Sequence, residues 1–304
     1  MQLIDIQKSK TDKVSKFMFL TEDKLLLEAS YIDNNTGKDI ICISCQSSCA
    51  NRCKFCHLTE VIGKIKLRNF TEKEIISSIS QVSENLKLEE KLEPLVVSFM
   101  GCGEPTQNAI EVLNSMYRLN QLFSKKGIRF AVATSIPKKN VDDFFWLTNY
   151  IKSFSLPVKM HLSLHYTNNS LRKEWMPNSL EIEPSICALE YYSKFTGNAA
   201  EIHYALIEGV NDTKQDAAEL CAFLRGRNIN VKFIQYNETP GLNNKQSPKE
   251  NYWYMHAMLT DYGIANEYYI PPGQSLGSSC GAYILENYLK YNIIKQINDV
   301  ETKK

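Results

Sequence analysis

Residues 39–56 read Asp-Ile-Ile-Cys-Ile-Ser-Cys-Gln-Ser-Ser-Cys-Ala-Asn-Arg-Cys-Lys-Phe-Cys. The first six (DIICIS, 39–44) form a short apolar run rich in β-branched residues, which predicts a strand. A loop with C-x3-C-x2-C spacing, Cys49, Cys53 and Cys56, follows it directly. Five of the nine cysteines lie between positions 42 and 56. A disulfide scaffold needs an oxidising compartment and is usually a much shorter chain, so the clustering points to metal or redox chemistry.

The same strand signal recurs downstream, in PLVVSFMG (94–101), IRFAVATS (128–135), VKMHLSLH (158–165), AEIHYALI (200–207) and NVKFIQYN (230–237). Between these runs, helix-like amphipathic stretches are predicted near 71–86, 108–126, 140–152, 181–195, 213–227 and 248–262. Near-continuous apolar strands alternating with helices imply an α/β fold whose parallel sheet carries its helices outside. Periodicity alone does not separate a partial barrel from a flat doubly wound sheet, and ligands gather at the C-terminal strand ends in both. Upstream, KFMFL (16–20) and LLLEASYI (25–32) flank a turn-like tetrapeptide and predict a β-hairpin. A weak strand is predicted at 267–270, followed by a Pro-Pro-Gly loop leading to Cys280.

The composition suits one large globular domain: 304 residues, of which 43% are hydrophobic. A net charge of +1 creates no overall basic field. The polar N-terminus and the lack of any apolar run near about 18 residues predict a cytoplasmic protein with no membrane partner.

Three thiolates in one short loop can hold three corners of a 4Fe–4S cube, leaving one iron open to a substrate. S-adenosylmethionine (SAM) fills that position in the radical SAM superfamily, whose cysteine loop also carries an aromatic residue where Phe55 stands. Two other readings compete. A structural zinc site would take Cys45 or His57 as fourth ligand, but no second ligand pair is evident. Cys53-Lys-Phe-Cys56-His57 matches a haem-attachment pattern, which requires an export signal that the sequence does not show. The second strand ends in Gly101-Cys-Gly103-Glu104-Pro105, where glycine lets backbone approach a ligand and a carboxylate can hold an ammonium.

From about residue 14 to 290 the chain resembles the RlmN/Cfr family of radical SAM methyltransferases, which methylate an adenine ring carbon in RNA. The resemblance rests on Cys42-Ile-Ser-Cys-Gln-Ser-Ser-Cys49, Met100-Gly-Cys-Gly-Glu-Pro105, Ser163-Leu-His165, Gly209-Val-Asn-Asp212, Asn237-Glu-Thr-Pro-Gly241 and Ser279-Cys280-Gly281, in that order. It implies a partial (βα)6 barrel over residues 37–290, an N-terminal β-hairpin extension over 1–36 and a polar tail over 291–304. Gly-Glu-Pro, rather than Gly-Glu-Ala, implies methylation of carbon 2 rather than carbon 8.

The same resemblance implies that Gly103, Glu104, Ser163, Leu164, His165 and Asn237 contact SAM. Cys280 would accept a methyl group, Cys42 would be the second redox cysteine, and Glu28 the proton acceptor. A transient Cys42–Cys280 disulfide would close each turnover. Cys45, Cys102, Cys187 and Cys221 keep ordinary packing roles. The family's SAM-contacting serine after the third strand is replaced by Ala133-Thr-Ser135-Ile, which moves that contact to Thr134 or Ser135. Implied partners are rRNA or tRNA and an electron donor such as flavodoxin or ferredoxin, acting on a monomer. Family members carry a helical domain before the hairpin; about a dozen residues precede it here, so that domain is expected to be missing.

Overall fold

The computed structural model describes residues 1–33, 37–91, 93–238, 242–273 and Leu276. Ten strands form one sheet in unbroken sequential order: β1 (Gln2–Lys8), β2 (Val14–Leu20), β3 (Leu26–Asp33), β4 (Asp39–Ile43), β5 (Leu95–Phe99), β6 (Ile128–Thr134), β7 (Val158–Ser163), β8 (Ala200–Leu206), β9 (Asn230–Gln235) and β10 (Asn266–Tyr269). Strands β1 to β4 are antiparallel neighbours, and every pair from β4 to β10 is parallel. A doubly wound sheet reverses its strand order at a switch point. This sheet never does, so right-handed crossovers put every helix on one face and the sheet curls into an open barrel.

The helices are α1 (Glu72–Leu86), α2 (Ala109–Leu122), α3 (Val141–Ser153), α4 (Asn169–Trp175), α5 (Ile182–Thr196), α6 (Lys214–Leu224) and α7 (Lys249–Asp261). Local chemistry sets several of their ends. Thr71 with Glu74 and Thr213 with Asp216 form reciprocal capping pairs that satisfy the first free N–H groups of α1 and α6. Gly197, at φ 76°, ends α5 in the left-handed conformation.

The six strands and six longer helices expected from periodicity are present, and the expected hairpin is β2–β3. Two elements lie outside those expectations, β1 and the seven-residue α4. The strands are also not apolar on both faces. Ile41, Val97, Phe130, Met160, Ile202 and Phe233 join helix residues such as Ile79, Met116, Leu147, Leu189 and Leu220 in one core. The alternate residues, paired across the ladder as Cys42–Ser98–Ala131 and Ala133–His161–Glu201, face the concave side. That face is polar because it is the wall of a cavity rather than a packing surface.

The open edges lie at β1 and β10, yet the chain ties them. Beyond β10, the Gly273 N–H donates to Asp12 Oδ2 at 2.5 Å, in the turn between β1 and β2. Gly273 thus meets the N-terminal side of the barrel, seven positions before Cys280 in the sequence.

Candidate active site

The cysteine loop leaves the C-terminal end of β4 and is pinned from several directions. Asn51 Nδ2 donates to Glu104 Oε2 at 2.9 Å and to Ser135 Oγ at 3.1 Å, while Gln107 Nε2 donates to Asn51 Oδ1. Asn178 Nδ2 donates to the Ala50 carbonyl, the Lys54 N–H to that of Trp175, and Tyr236 Oη to that of Phe55. Phe55 meets His165 edge to face with ring centroids 5.0 Å apart. On the other side, Met18, Leu26, Leu58, Ile65 and Cys102 form a small apolar cluster against which Cys49 and Cys56 pack.

Cys49, Cys53 and Cys56 form no disulfide among the described residues, and each is partly buried. Burial raises the Cys49 thiol to about 12, and burial and the neighbouring cysteines and Glu104 raise Cys53 well above its ordinary value. Thiols so placed ionise only when a cationic centre compensates them. Three thiols carried on one short loop suit the corners of an iron–sulfur cluster. His57, the alternative zinc ligand, is buried in the short helix after the loop.

Gly101 and Gly103 are required by close approach. A Cβ on Gly101 would sit 2.6 Å from the Ser44 nitrogen, and one on Gly103 2.8 Å from Cys45 Sγ. Gly103 also has φ 110°, outside the range of L side chains. Glu104 beside it is 3% exposed. Its Oε2 accepts from Asn51, from the Ser135 N–H at 3.1 Å and from Ser135 Oγ at 3.2 Å; its Oε1 accepts from Thr106 N and Oγ1. Among the described residues no lysine or arginine pairs with this buried carboxylate. Thr134 instead turns its hydroxyl to the Ile136 N–H, so of the two it is Ser135 that meets Glu104.

Ser163 ends β7 in register with His203. Leu164 is fully buried in the helix-side core, so only its backbone can reach a ligand in the cavity. His165 has φ 59°; its Nδ1 accepts from the Ala205 N–H at 2.9 Å and its carbonyl accepts from Asn211 Nδ2 at 2.6 Å. Burial lowers the His165 pKa to about 3, so the ring is neutral at pH 7. The Gly209-Val-Asn-Asp212 motif is explained by this contact: Asn211 locks His165, and Asp212 in turn accepts from Ser247 Oγ and Asn251 Nδ2. Asn237 follows β9 and is half-buried.

Arg172 on α4 has no counterpart among the sequence expectations. It is 1% exposed and donates to the carbonyls of Leu180, Ser163, Leu164 and Ser135, joining the ends of β6 and β7. Burial lowers its pKa to about 10, partly offset by the nearby Cys53.

On the N-terminal wall, Glu28 is 5% exposed; Lys16 Nζ lies 3.2 Å from Oε1, and Oε2 is buried without a hydrogen bond. Ser30 pairs with both Lys16 and Cys42 across the ladder. Glu28, two residues before Ser30, thus shares the concave face with Cys42 as a diagonal neighbour, about 7–8 Å away between backbones. Cys280, Ser279, Gly281 and the 291–304 tail lie outside the described residues.

A barrel of sequential parallel strands with a cysteine loop, a Gly-Glu-Pro turn and neutral His165 around one mouth defines a radical SAM enzyme, a class that works with a 4Fe–4S cluster and SAM. A protein of Clostridium beijerinckii named "Probable dual-specificity RNA methyltransferase RlmN" is 31% identical over 92% of this chain and 76% of its own. One of the same name from Thermosipho melanesiensis is 32% identical over 92% and 79%. The crystal structure of a radical SAM methyltransferase from Sphaerobacter thermophilus superposes with a TM-score of 0.78 at 25% identity, covering 92% of this chain and 80% of that one. No family model matches the sequence. The chain belongs to the RlmN family of radical SAM RNA methyltransferases. No helix among the described residues is long and apolar enough to cross a membrane.

Proposed function

We propose that this enzyme methylates carbon 2 of an adenine in RNA, in 23S rRNA, tRNA or both, by way of a methylated Cys280. Cys49, Cys53 and Cys56 would hold the cluster. Glu104 would receive the ammonium of SAM, with Gly103, Ser163, the Leu164 backbone, His165 and Asn237 lining the rest of its site. Ser135 and Asn51 orient the Glu104 carboxylate, and neutral His165 adds no charge beside the sulfonium.

When bound, the cluster and SAM supply a 5′-deoxyadenosyl radical that abstracts hydrogen atoms, its electron coming from a flavodoxin- or ferredoxin-type donor. The chain's residues do the remainder. The Cys280 thiolate takes a methyl group from a first SAM and later loses one hydrogen atom from it. The resulting carbon adds to the adenine ring, tethering RNA to the protein. Glu28 Oε2 would accept the ring proton as the adduct gives its unpaired electron back to the cluster. The Cys42 thiolate would then attack the Cys280 sulfur, breaking its bond to carbon; the released carbon takes up a proton to become the methyl group, and the disulfide left behind is reduced by an external thiol.

One observation supports this reading most directly: the ladder register sets Glu28 and Cys42 on one face, as diagonal neighbours across β3 and β4. The test incubates reduced, cluster-loaded protein with RNA and methyl-labelled SAM, then digests the RNA for mass spectrometry. 2-Methyladenosine is expected; 8-methyladenosine would reverse the choice of carbon. Cys42→Ala should accumulate the protein–RNA adduct, and clean turnover by that variant would remove Cys42 from the mechanism.

A further inference from the structure

The concave wall carries a second constellation that methyl transfer does not use. His161 on β7 and Glu201 and His203 on β8 are 4%, 3% and 8% exposed. His161 Nδ1 lies 2.9 Å from Glu201 Oε1, and His203 Nε2 lies 3.4 Å from the same oxygen. The imidazole rings face each other with centroids 4.5 Å apart. All three converging atoms are buried, yet none makes a hydrogen bond of acceptable geometry. Glu201 Oε1 has Lys232 Nζ 3.0 Å away as an ion-pair partner, but the two imidazole nitrogens are left without a hydrogen bond, at about 1–3 kcal/mol each. The three atoms lie within 4.8 Å of one another, close enough to share one ion.

We propose that His161, Glu201 and His203 bind one divalent transition-metal ion, Zn2+ being the representative case, on the barrel wall below the SAM site. Two imidazole nitrogens and one carboxylate oxygen suit zinc and its neighbours, whereas Mg2+ and Ca2+ prefer all-oxygen sets. The position is separate from the cysteine loop: His161 lies two residues, roughly 7 Å along the strand, before Ser163 at the strand end.

Two lysines bear on the site. Lys159 contacts Glu201 Oε2, and Lys232 Nζ lies 3.0 Å from Oε1. Neither is confined there. The Lys159 side chain is 38% exposed, and Lys232 has a second partner 2.9 Å away in Glu267, which faces solvent. Both ammonium groups act as competing cations that withdraw as the metal enters.

The test uses the full chain purified without oxygen, loaded with its iron–sulfur cluster, washed with chelator and equilibrated against buffered Zn2+. One zinc per chain beyond the iron is expected, with nitrogen and oxygen scatterers at about 2.0–2.1 Å in zinc-edge X-ray absorption. His161→Gln and His203→Gln should each weaken zinc binding roughly tenfold or more at unchanged iron content, which reports an intact fold. Lys232→Gln should strengthen it, because a competing charge is gone. Sulfur scatterers near about 2.3 Å, no stoichiometric zinc, or wild-type zinc affinity in both histidine variants would overturn the proposal. Weaker zinc binding by Lys232→Gln would also overturn it, assigning the group to a lysine-stabilised ion-pair cluster.

Discussion

Asn51 and Glu104 stand 53 positions apart in the chain, and their side chains meet at 2.9 Å. This one amide–carboxylate bond joins the cysteine loop to the Gly-Glu-Pro turn, and Ser135 closes the triangle from the end of β6. Two segments that leave different strands are thereby held in one geometry.

Asn51→Ala should remove a donor from a buried carboxylate and cost about 1–3 kcal/mol in urea unfolding. Asn51→Asp should cost more, since it sets a second carboxylate against Glu104. Iron retained after reconstitution and SAM affinity should fall in the same order. Equal behaviour of the two variants would show that the bond does not orient the loop.

Gly101→Ala should fold poorly, because its Cβ meets Ser44 and Ile43 backbone at 2.6–2.7 Å and neither can move without shifting β4. Gly63→Ala is the comparison: φ there is 82° but nothing lies within 4 Å, so only the left-handed penalty of about 1–2 kcal/mol applies. Soluble yield and thermal midpoint of the two variants check this.

Lys16 and Glu28 form a buried ion pair, with side chains 3% and 6% exposed. Lys16→Met or Glu28→Gln alone should destabilise by about 3–5 kcal/mol, because each leaves the partner buried and unpaired. Lys16→Met/Glu28→Met should recover much of that loss. Activity should not follow stability: both variants lacking Glu28 should stall at the protein–RNA adduct, visible as a shifted band on a denaturing gel.

The protein should lose stability in acid partly through Glu74. Burial pushes this carboxyl up, but bonds from Arg68 and the Thr71 N–H more than offset it and leave it below the usual 4.5. A carboxylate favoured in the folded state binds fewer protons there than when unfolded, so its stabilisation is present above 4.5 and fades as pH falls through the folded value. Glu74→Gln should therefore be less stable at pH 7 and show a shallower fall below that point, read by chemical denaturation at several pH values.

Much of the architecture was legible in the chain. Short apolar runs such as 94–101 and 200–207 alternate with amphipathic stretches, and this periodicity is a local property of sequence. β1 escaped because Gln2–Lys8 carries charges at its edge position, and α4 because Asn169–Trp175 spans only seven residues. Asn51 and Arg172 gave no signal, since a single asparagine in a loop and a single arginine in a short helix match no pattern. Leu164, read as a ligand contact with its neighbours, turns its side chain into the core because it alternates with Ser163.

What the chain by itself determined was the inventory: three cysteines spaced for a cluster, a glycine–carboxylate turn at a strand end, and six strand–helix units. These depend only on neighbours in sequence. Tertiary structure alone decided the curvature of the sheet, which follows from unreversed strand order, and the polar character of its inner face. It also decided that Glu28 stands diagonal to Cys42, and that His161, Glu201 and His203 converge, because ladder register sets which distant side chains share a wall.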